Sequence, residues 1–367
     1  MIRVLVVGQV PPPYTGQSVM IEKMIQGQYK QIKIVHINMA FSNSIEEIGR
    51  FHLSKIRHLV KVIVQIWQAR LRFKPDILYY PPSGPNRIPI YRDILILLAT
   101  RWLFPKIVFH FHAGGISQLY PNLPKPIRLL FRLAYMNANA GIRLADKNPP
   151  DSTVLGLKRD FIVPYGIDDA FVRYGTEHFP NNYTQILFVG MLRESKGIFV
   201  LLDACRQLKE QGYKFKLKLV GGVDSEFTSH RIKDFLTTHN LSKYVEMTGI
   251  LTGTDKWQAY STSNIFCFPS YYESETFGLV VLEAMQFSLP VVATDWRGIS
   301  TLIDDGQTGF LVKPHNSVAV AQKLSYLIEH PDQAKAMGKK GRQKYLTSYT
   351  TELYWQNIEN VFITVAT

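Results

Sequence analysis

The stretch that decides the fold runs from residue 265 to residue 312. It reads IFCFPSYYESETFGLVVLEAM at residues 265–285, PVVATD at 290–295 and DGQTGFLV at 305–312. The apolar run 265–268 is short and ends at Pro269, as a buried parallel strand does. Gly278 then opens a segment whose apolar residues recur at helical spacing to about Ser288. The pattern predicts a ligand site in the polar loop between strand and helix, at the end of a parallel sheet.

This predicted helix start suits a phosphate group. A helix N-terminus presents backbone N–H groups and a partial positive charge, and Gly278 leaves room for a close approach. Glu275 precedes the helix, and Glu283 follows eight residues later, on the order of 10 Å along a helix axis. That separation suits the two ends of an extended ligand. The alternative makes Glu275 an N-terminal charge complement and Glu283 a solvated surface acid.

The pattern P-S-x4-E-x-F-G-L-x3-E-A-M, which starts at Pro269, resembles the signature of retaining glycosyltransferases of family 4. These enzymes have the GT-B fold, an α/β fold of two facing Rossmann-like domains with an interdomain cleft. The resemblance implies that Glu275 faces the donor sugar and that Glu283 binds the nucleotide ribose. It also implies that the backbone of Phe277, Gly278 and Leu279 meets the diphosphate. Thr276 stands where the family usually has Gly, and we expect it to narrow the donor pocket.

A second motif, Gly190-x5-Lys196-Gly197, is similar to the family pattern G-R-L-x3-K-G. The resemblance implies that Lys196 grips the diphosphate. Met191 replaces the family's Arg, and we expect Arg193 to substitute for it, because a long planar guanidinium reaches phosphate oxygens from a neighbouring loop position. Gly221 and Ile250 sit where the family encloses the nucleotide base through backbone contacts. Side-chain identity there distinguishes uracil poorly from guanine or adenine, and UDP is the expected donor nucleotide.

Two further loops follow strands of the N-terminal half, where open α/β sheets form their binding crevice. The predicted strand at residues 107–111 is followed by His112 and, after one further residue, by two glycines. The resemblance implies that His112 contacts the donor sugar. A lone His is otherwise more often structural. Gly16 is similar to a family glycine beside the donor phosphates, although a plain turn also fits. Tyr165 replaces the Asn of the family's V-P-N-G-V-D link, and we expect it to alter the local turn.

Length and pattern predict more than one domain. A chain of 367 residues exceeds one ordinary core. Short apolar strands alternate with helical stretches at residues 4–7, 34–37, 77–80, 107–111 and 140–144, the pattern of a doubly wound α/β sheet. Strand-to-glycine patterns begin both halves. We predict an acceptor-binding Rossmann-like domain at 1–170, a nucleotide-sugar-binding one at 171–345, and a C-terminal helix at 346–367 that returns to the first domain.

The charge is concentrated in the N-terminal half. The chain has 42 Lys or Arg and 29 Asp or Glu; residues 1–170 hold 22 and 10 of these. Residues 52–74 form a basic amphipathic helical pattern, and residues 125–132 form a second basic stretch. Such helices lie on anionic membranes or simply present a solvated face. A nucleic-acid partner is ranked last because it leaves residues 265–312 unexplained.

Taken together, the residues and the resemblance predict a retaining, metal-independent hexosyltransferase without a cofactor, with Lys196, Glu275 and His112 as catalytic residues. The expected acceptor is a lipid-linked or other glycan in bacterial surface polysaccharide assembly. The expected location is cytoplasmic, on the inner face of the membrane. Residues 1–7 read as a first strand rather than a signal peptide, and two cysteines without redox spacing fit a reducing compartment. Alternatives are a GT-B epimerase or nucleotide-sugar hydrolase, and a non-catalytic nucleotide-sugar-binding subunit.

Overall fold

The computed structural model describes residues 1–40, 53–175 and 182–367, and it divides the chain into two compact units. The first unit combines Met1–Gly166 with Thr351–Thr367, and the second is Ile167–Thr350. Each unit contains one six-stranded sheet among the described residues, and all strand pairs in both sheets are parallel.

The first sheet has the strand order β2-β1-β3-β4-β5-β6. Its strands are β1 (Ile2–Gly8), β2 (Ile32–Asn38), β3 (Ile77–Tyr80), β4 (Lys106–His110), β5 (Ala140–Arg143) and β6 (Asp160–Ile162). Its helices are α1 (Gly16–Ile25), α2 (Leu53–Phe73), α3 (Arg87–Thr100), α4 (Ile116–Leu119), α5 (Lys125–Tyr135), α6 (Asp151–Val154) and, from the end of the chain, α15 (Thr351–Ala366). Strands β1 and β3 are almost wholly buried because helices cover both faces of the sheet.

The C-terminal helix α15 completes the first unit by packing against α1, β1 and β2. The indole N–H of Trp355 donates to the carbonyl of Lys23 at 2.8 Å, and the Glu359 carboxylate accepts from the backbone N–H of Gln31 at 2.6 Å. Phe362 on the same helix is fully buried. An apolar face and two specific hydrogen bonds therefore hold this helix in place.

The second sheet has the order β12-β11-β10-β7-β8-β9. Its strands are β7 (Thr184–Val189), β8 (Phe215–Val220), β9 (Val245–Gly249), β10 (Ile265–Phe268), β11 (Val291–Thr294) and β12 (Gly309–Val312). Its helices are α7 (Phe171–Tyr174), α8 (Ile198–Glu210), α9 (Glu226–Thr238), α10 (Gly253–Ser261), α11 (Leu279–Gln286), α12 (Ile299–Leu302), α13 (Ser317–Glu329) and α14 (Pro331–Ser348).

The two cysteines are core residues of this second unit. Cys205 on α8 and Cys267 on β10 are free thiols with no exposed surface. Burial raises the pKa of both thiols, so they are poor nucleophiles. Of the helices in the described ranges, none is both long enough and apolar enough to span a bilayer.

Candidate functional site

The predicted loops of the second unit meet at the carboxyl ends of three neighbouring strands, β10, β7 and β8. Gly190 follows β7 and Gly221 follows β8, and their backbones touch: a Cβ at Gly221 would lie 1.9 Å from the carbonyl oxygen of Gly190. Gly221 also has a φ of +143°, which favours glycine. The absence of a side chain at position 221 therefore permits this close approach.

The loop that carries Lys196 is fixed against the loop that follows β10. Gly197 has a φ of +79°, and a Cβ there would lie 2.1 Å from the carbonyl oxygen of Pro269. The amide of Tyr271 donates to the carbonyl of Ser195 at 2.9 Å. The predicted motifs around Lys196 and Glu275 are therefore held together by backbone contacts.

Lys196 and Glu275 form a direct ion pair. Their side chains are only 18% and 13% exposed. The Lys196 ammonium also lies 4.8 Å from the ring centroid of Tyr272 and 5.6 Å from that of Phe268, so aromatic faces surround the cation. Glu275 is thus held by a specific cation and is more than a general charge complement of the helix.

Tyr272 joins Arg193 to the same cluster, a role that the sequence analysis did not assign. The Arg193 guanidinium carbon lies 5.4 Å from the Tyr272 ring centroid, and its Nε lies 3.4 Å from a carboxylate oxygen of Asp224. The indole N–H of Trp296 donates to the Tyr272 carbonyl at 2.9 Å and fixes the loop. Arg193 is half-exposed, and its guanidinium and the Lys196 ammonium both lie over the Tyr272 ring.

Helix α11 begins directly after this cluster. Gly278 is its N-cap residue with a φ of +84°, and it has no side chain to cover the first amides of the helix. Thr276 and Phe277 are buried, and the Phe277 ring packs edge-on against Tyr349 at 6.0 Å. Leu279 is the first helical residue. Helix α11 therefore begins at a residue without a side chain, directly after two buried residues, and a helix N-terminus of this kind can bind an anion.

Glu283 lies further along α11 and is also held by specific partners. Its carboxylate accepts from Lys256 Nζ at 2.5 Å and from the Tyr260 hydroxyl at 2.7 Å, and its side chain is 12% exposed. Burial, followed by the Glu283 charge, raises the pKa of Tyr260. Glu283 is not a solvated surface acid. Lys256 and Tyr260 are one helical turn apart on α10. The sequence shows this spacing, but it does not show that both side chains reach Glu283.

Ile250 lies just beyond the end of β9 and is 76% exposed. Its side chain adjoins Gly222, where an added Cβ would meet it at 3.4 Å. The Gly221 amide donates to the Gly249 carbonyl at 2.8 Å, so this edge is formed largely by backbone. An exposed aliphatic side chain beside a glycine-rich backbone suits the flat face of a base.

His112 lies in the first unit, two residues beyond β4, and is almost completely buried. Its Nε2 is 2.9 Å from the Tyr79 hydroxyl, which also bonds to His110 Nδ1 at 2.8 Å. Its Nδ1 bonds to the hydroxyl of Tyr165, whose ring stacks at 5.7 Å. Burial lowers the pKa of His112 to about 3, so the imidazole is neutral near pH 7.

Gly16, also in the first unit, is the first residue of α1. Thr15 caps this helix: its Oγ1 accepts from the Ser18 amide at 3.1 Å, while the Ser18 hydroxyl accepts from the Thr15 amide at 2.9 Å. Thr15 therefore has a structural role as the N-cap residue of α1. In the described residues, no cluster of three His, Cys, Asp or Glu side chains could hold a metal ion.

Comparison with known proteins identifies the class to which this second unit is related. Residues 176–344 match the family model for glycosyl transferases group 1, and the stretch 265–312 lies within that match. The GT-B prediction for the fold is confirmed: two parallel six-stranded sheets are present, and solved GT-B structures align over the whole chain.

The particular relatives are as follows. The chain is 27% identical over 188 residues to the capsular polysaccharide biosynthesis glycosyltransferase CapM of Staphylococcus aureus, covering 50% of this chain and 47% of CapM. It aligns with HepE of Anabaena, solved in complex with UDP, at a TM-score of 0.76 and 18% identity, over 99% of this chain and 100% of that one. It aligns with sucrose-phosphate synthase of Thermosynechococcus elongatus at a TM-score of 0.76 and 18% identity, over 100% and 99%. The chain spans about half the length of the curated relatives it matches.

Proposed function

We propose that this protein is a retaining glycosyltransferase that moves a hexose-type sugar from a nucleoside diphosphate to a hydroxyl group of a glycan acceptor. The observation that carries the proposal is the ion pair of Lys196 with Glu275, held by backbone contacts directly before the N-terminus of α11. The carboxyl ends of neighbouring strands thus bring together a cation, an acid and a helix N-terminus. In the proposed function these groups bind the phosphates and the sugar of one donor.

The leaving diphosphate is the group that this site stabilises in our proposal. Breaking the bond between the anomeric carbon and the phosphate oxygen places extra negative charge on the diphosphate. Lys196, Arg193 and the first amides of α11 supply positive charge that is already oriented, and such preorganised electrostatics is a large contribution to catalysis. No metal ion is needed in this scheme. An ammonium group has more than one N–H donor, so Lys196 can bind a phosphate oxygen while it still bonds to Glu275.

The two carboxylates then orient the two ends of the donor. Glu275, held by Lys196, hydrogen-bonds the sugar hydroxyls. Glu283, held by Lys256 and Tyr260, accepts from the ribose hydroxyls. An ammonium partner compensates the charge of each carboxylate, although both side chains have low exposure. The leaving phosphate takes the proton of the incoming hydroxyl on the same face of the sugar, which retains the anomeric configuration.

His112 is proposed to contact the donor sugar as a neutral imidazole. Both of its ring nitrogens already bond to the hydroxyls of Tyr79 and Tyr165, so the proposed contact is made through the ring carbons, with the ring orientation fixed by these two bonds. Its low pKa means that it does not act as a cationic acid near neutral pH. Gly16, at the start of α1, is proposed to lie beside the donor phosphates.

The nucleotide and the acceptor are proposed from the relatives. HepE was solved with UDP, which supports UDP as the donor nucleotide. CapM is a capsular polysaccharide biosynthesis glycosyltransferase, which supports a glycan acceptor used in bacterial surface polysaccharide assembly. We propose a lipid-linked acceptor, with the protein in the cytoplasm on the inner face of the membrane, because the basic charge lies in the N-terminal half.

Thermal-shift titration with UDP, GDP and ADP and their common sugars tests the donor site, since a ligand that binds only the folded state raises the melting temperature. A shift specific for UDP and its sugars is expected. Product analysis then separates the activities: acceptor-dependent UDP release supports transfer, whereas free sugar or an epimer without acceptor indicates a hydrolase or an epimerase. Binding without any turnover indicates a non-catalytic subunit. A folded protein that binds none of the nucleotides contradicts the proposal.

A further inference from the structure

Helix α2 has two apolar faces: among the described residues, one is buried in the core of its own unit and the other is exposed. Val62, Ile66 and Ala69 are buried in the core. The residues that recur at spacings of four, four, three and four along the opposite face are exposed: Ile56, Val60, Val64, Trp67 and Leu71. Such spacing places them in one stripe along the helix. Their exposed fractions range from 38% at Trp67 to 75% at Leu71.

The exposed stripe continues onto the two neighbouring helices. Helix α3 packs against both α2 and α5. Ile88, Leu95 and Trp102 repeat at intervals of seven along and just beyond α3, and all three are more than half exposed. Trp102 contacts Trp67 edge to face, with ring centroids 5.1 Å apart.

On α5, Leu129, Leu130 and Leu133 are also exposed. We call the exposed apolar side chains of α2, α3 and α5, together with Trp102, the outer face. An exposed apolar surface that extends over three helices marks an interaction site.

Basic residues border the outer face. Arg57 and Lys61 are exposed and each follows a stripe residue of α2 by one position. On α5, Lys125 and Arg132 lie within one turn of Leu129 and are also exposed. The sequence contains no Asp or Glu in residues 53–73 or 125–135.

The acid of α3, Asp93, does not face outward. It is fully buried and bonds to the Tyr80 hydroxyl at 2.8 Å and to the Ser83 amide at 2.8 Å. The outer face therefore combines apolar side chains with positive charge and no exposed acid on these three helices.

We infer that the outer face docks on the surface of an anionic lipid bilayer, with the apolar side chains in the headgroup region and the basic side chains beside lipid phosphates. This inference deepens the proposed membrane location and rests on it, but it does not depend on the donor chemistry. Amphipathic helices that combine Trp and Leu with Lys and Arg lie in the interface in this way, and Trp favours that depth. The 21 residues of α2 give about 30 Å of contact length.

The chemistry of the outer face favours a bilayer over the other occupants. A second copy of the chain would bring two basic faces together, which their like charges oppose. A nucleic acid would engage the cations and leave the apolar stripe in water. An anionic bilayer satisfies both components over an extended area.

Vesicle flotation of the full-length protein tests the inference. Vesicles of phosphatidylcholine alone are compared with vesicles that also contain phosphatidylglycerol, and we expect strong binding to the second kind only. Val60→Asp should lower the partition coefficient at least about tenfold, because it places a charge in the apolar stripe. Val318→Asp is the matched control: Val318 is 53% exposed on α13 of the second unit, against 55% for Val60 on α2.

A charge-reversal pair tests the electrostatic component. Arg57→Glu with Lys61→Glu should lower binding to anionic vesicles about tenfold or more, since each basic residue near the surface contributes several-fold in affinity. Lys335→Glu with Lys339→Glu, two exposed lysines of α14, makes the same charge change elsewhere and should have a much smaller effect. All four positions are exposed, so these variants are expected to fold.

Quenching of tryptophan by brominated lipid tests insertion. Trp102→Phe should remove a large part of the quenching. Any one of four results would overturn the inference. Two concern the variants: equal losses of binding in test and control variants, or unchanged binding in Val60→Asp. The other two are equal binding to uncharged vesicles and a dimer that forms through this face without lipid binding. UDP thermal shifts on the same samples keep the two proposals apart: vesicle binding without a UDP shift leaves the docking surface standing, and the reverse result leaves the donor site standing.

Discussion

Replacing Lys196 by Met should have two separable effects, because the residue is both half of an ion pair and the proposed diphosphate cation. The substitution preserves much of the side-chain volume and removes the charge. Glu275, only 13% exposed, then loses its counter-charge. Removing one member of a fully buried pair costs about 3–5 kcal/mol, and the remaining exposure of this pair reduces that to about 1–3 kcal/mol of folding free energy.

The effect on catalysis should be larger and should appear in kcat. Removal of one preorganised group that stabilises developing charge typically lowers kcat by about 10²–10³, or about 3–4 kcal/mol of transition-state stabilisation. In the proposed function Lys196 also contacts the diphosphate in the ground state, so a smaller rise in KM is expected as well.

A double-mutant cycle with Glu275→Gln separates the two effects. Each single variant should lose stability and activity. The double variant carries no uncompensated charge, so its free energy of unfolding should return toward that of the wild type while its activity stays low. Lys313→Met and Glu273→Gln make the same chemical changes at exposed positions of the second unit. They should change turnover less than about twofold and the free energy of unfolding by less than about 0.5 kcal/mol.

Denaturant unfolding and steady-state UDP release with acceptor measure the two quantities. The reasoning fails if Lys196→Met retains turnover within about threefold of wild type while folded. It also fails if the double variant regains activity, because the pair would then serve folding alone. Single variants with unchanged stability would contradict the argument from the ion pair.

The remaining predictions concern the other parts of the two units. Glu283→Gln should raise the Kd for UDP about tenfold with little change in kcat, measured by calorimetry, because ribose binding contributes equally to ground and transition states; an unchanged Kd would remove the ribose assignment. The unfolding free energy should fall as pH drops below about 6.5, since the unfolded His112 protonates there while the folded residue does so only at about 3. At pH 5 the resulting loss of unfolding free energy is ~2 kcal/mol, and His112→Gln should reduce the slope of unfolding free energy against pH. Tyr165→Phe should cost about 1–3 kcal/mol, because a buried ring nitrogen loses its hydroxyl partner; a smaller loss would mean that this bond matters little. Gly221→Ala should destabilise by more than about 2 kcal/mol because its Cβ meets a backbone carbonyl. Gly249 also has a positive φ but open space around it, so Gly249→Ala should cost only about 1 kcal/mol. Equal losses of stability would show that the positive φ, and not the steric contact, determines the cost.

Much of the fold could be predicted from local pattern. Buried parallel strands are short apolar runs, and those at residues 77–80 and 265–268 match β3 and β10 in both bounds. Strand β6 was missed because Asp160–Ile162 is only three residues long and lies at the sheet edge, where its side chains are largely in contact with solvent. A strand of that kind has neither the length nor the apolar content that identifies a buried one.

Side-chain partners were predicted less well than positions. The sequence identified Glu283 but not Lys256 and Tyr260, which reach it from another helix. Tyr165 was expected to alter a turn, yet its hydroxyl bonds to the Nδ1 of His112, more than fifty residues away. Local spacing carries no information about such contacts, because they depend on which helix packs beside which.

Strand order explains why the residues of the proposed donor site meet although they are far apart in sequence. Lys196 follows β7 and Glu275 follows β10, and these strands are neighbours in the sheet order β10-β7-β8. Gly221 follows β8 on the other side of β7. All three loops leave the same edge because the strands are parallel, so a reversal of strand order on either side of β7 creates the crevice at that point. The ion pair spans 79 residues of sequence but only one inter-strand step, which is why adjacent loops can fix a cation and an acid more firmly than either loop could alone.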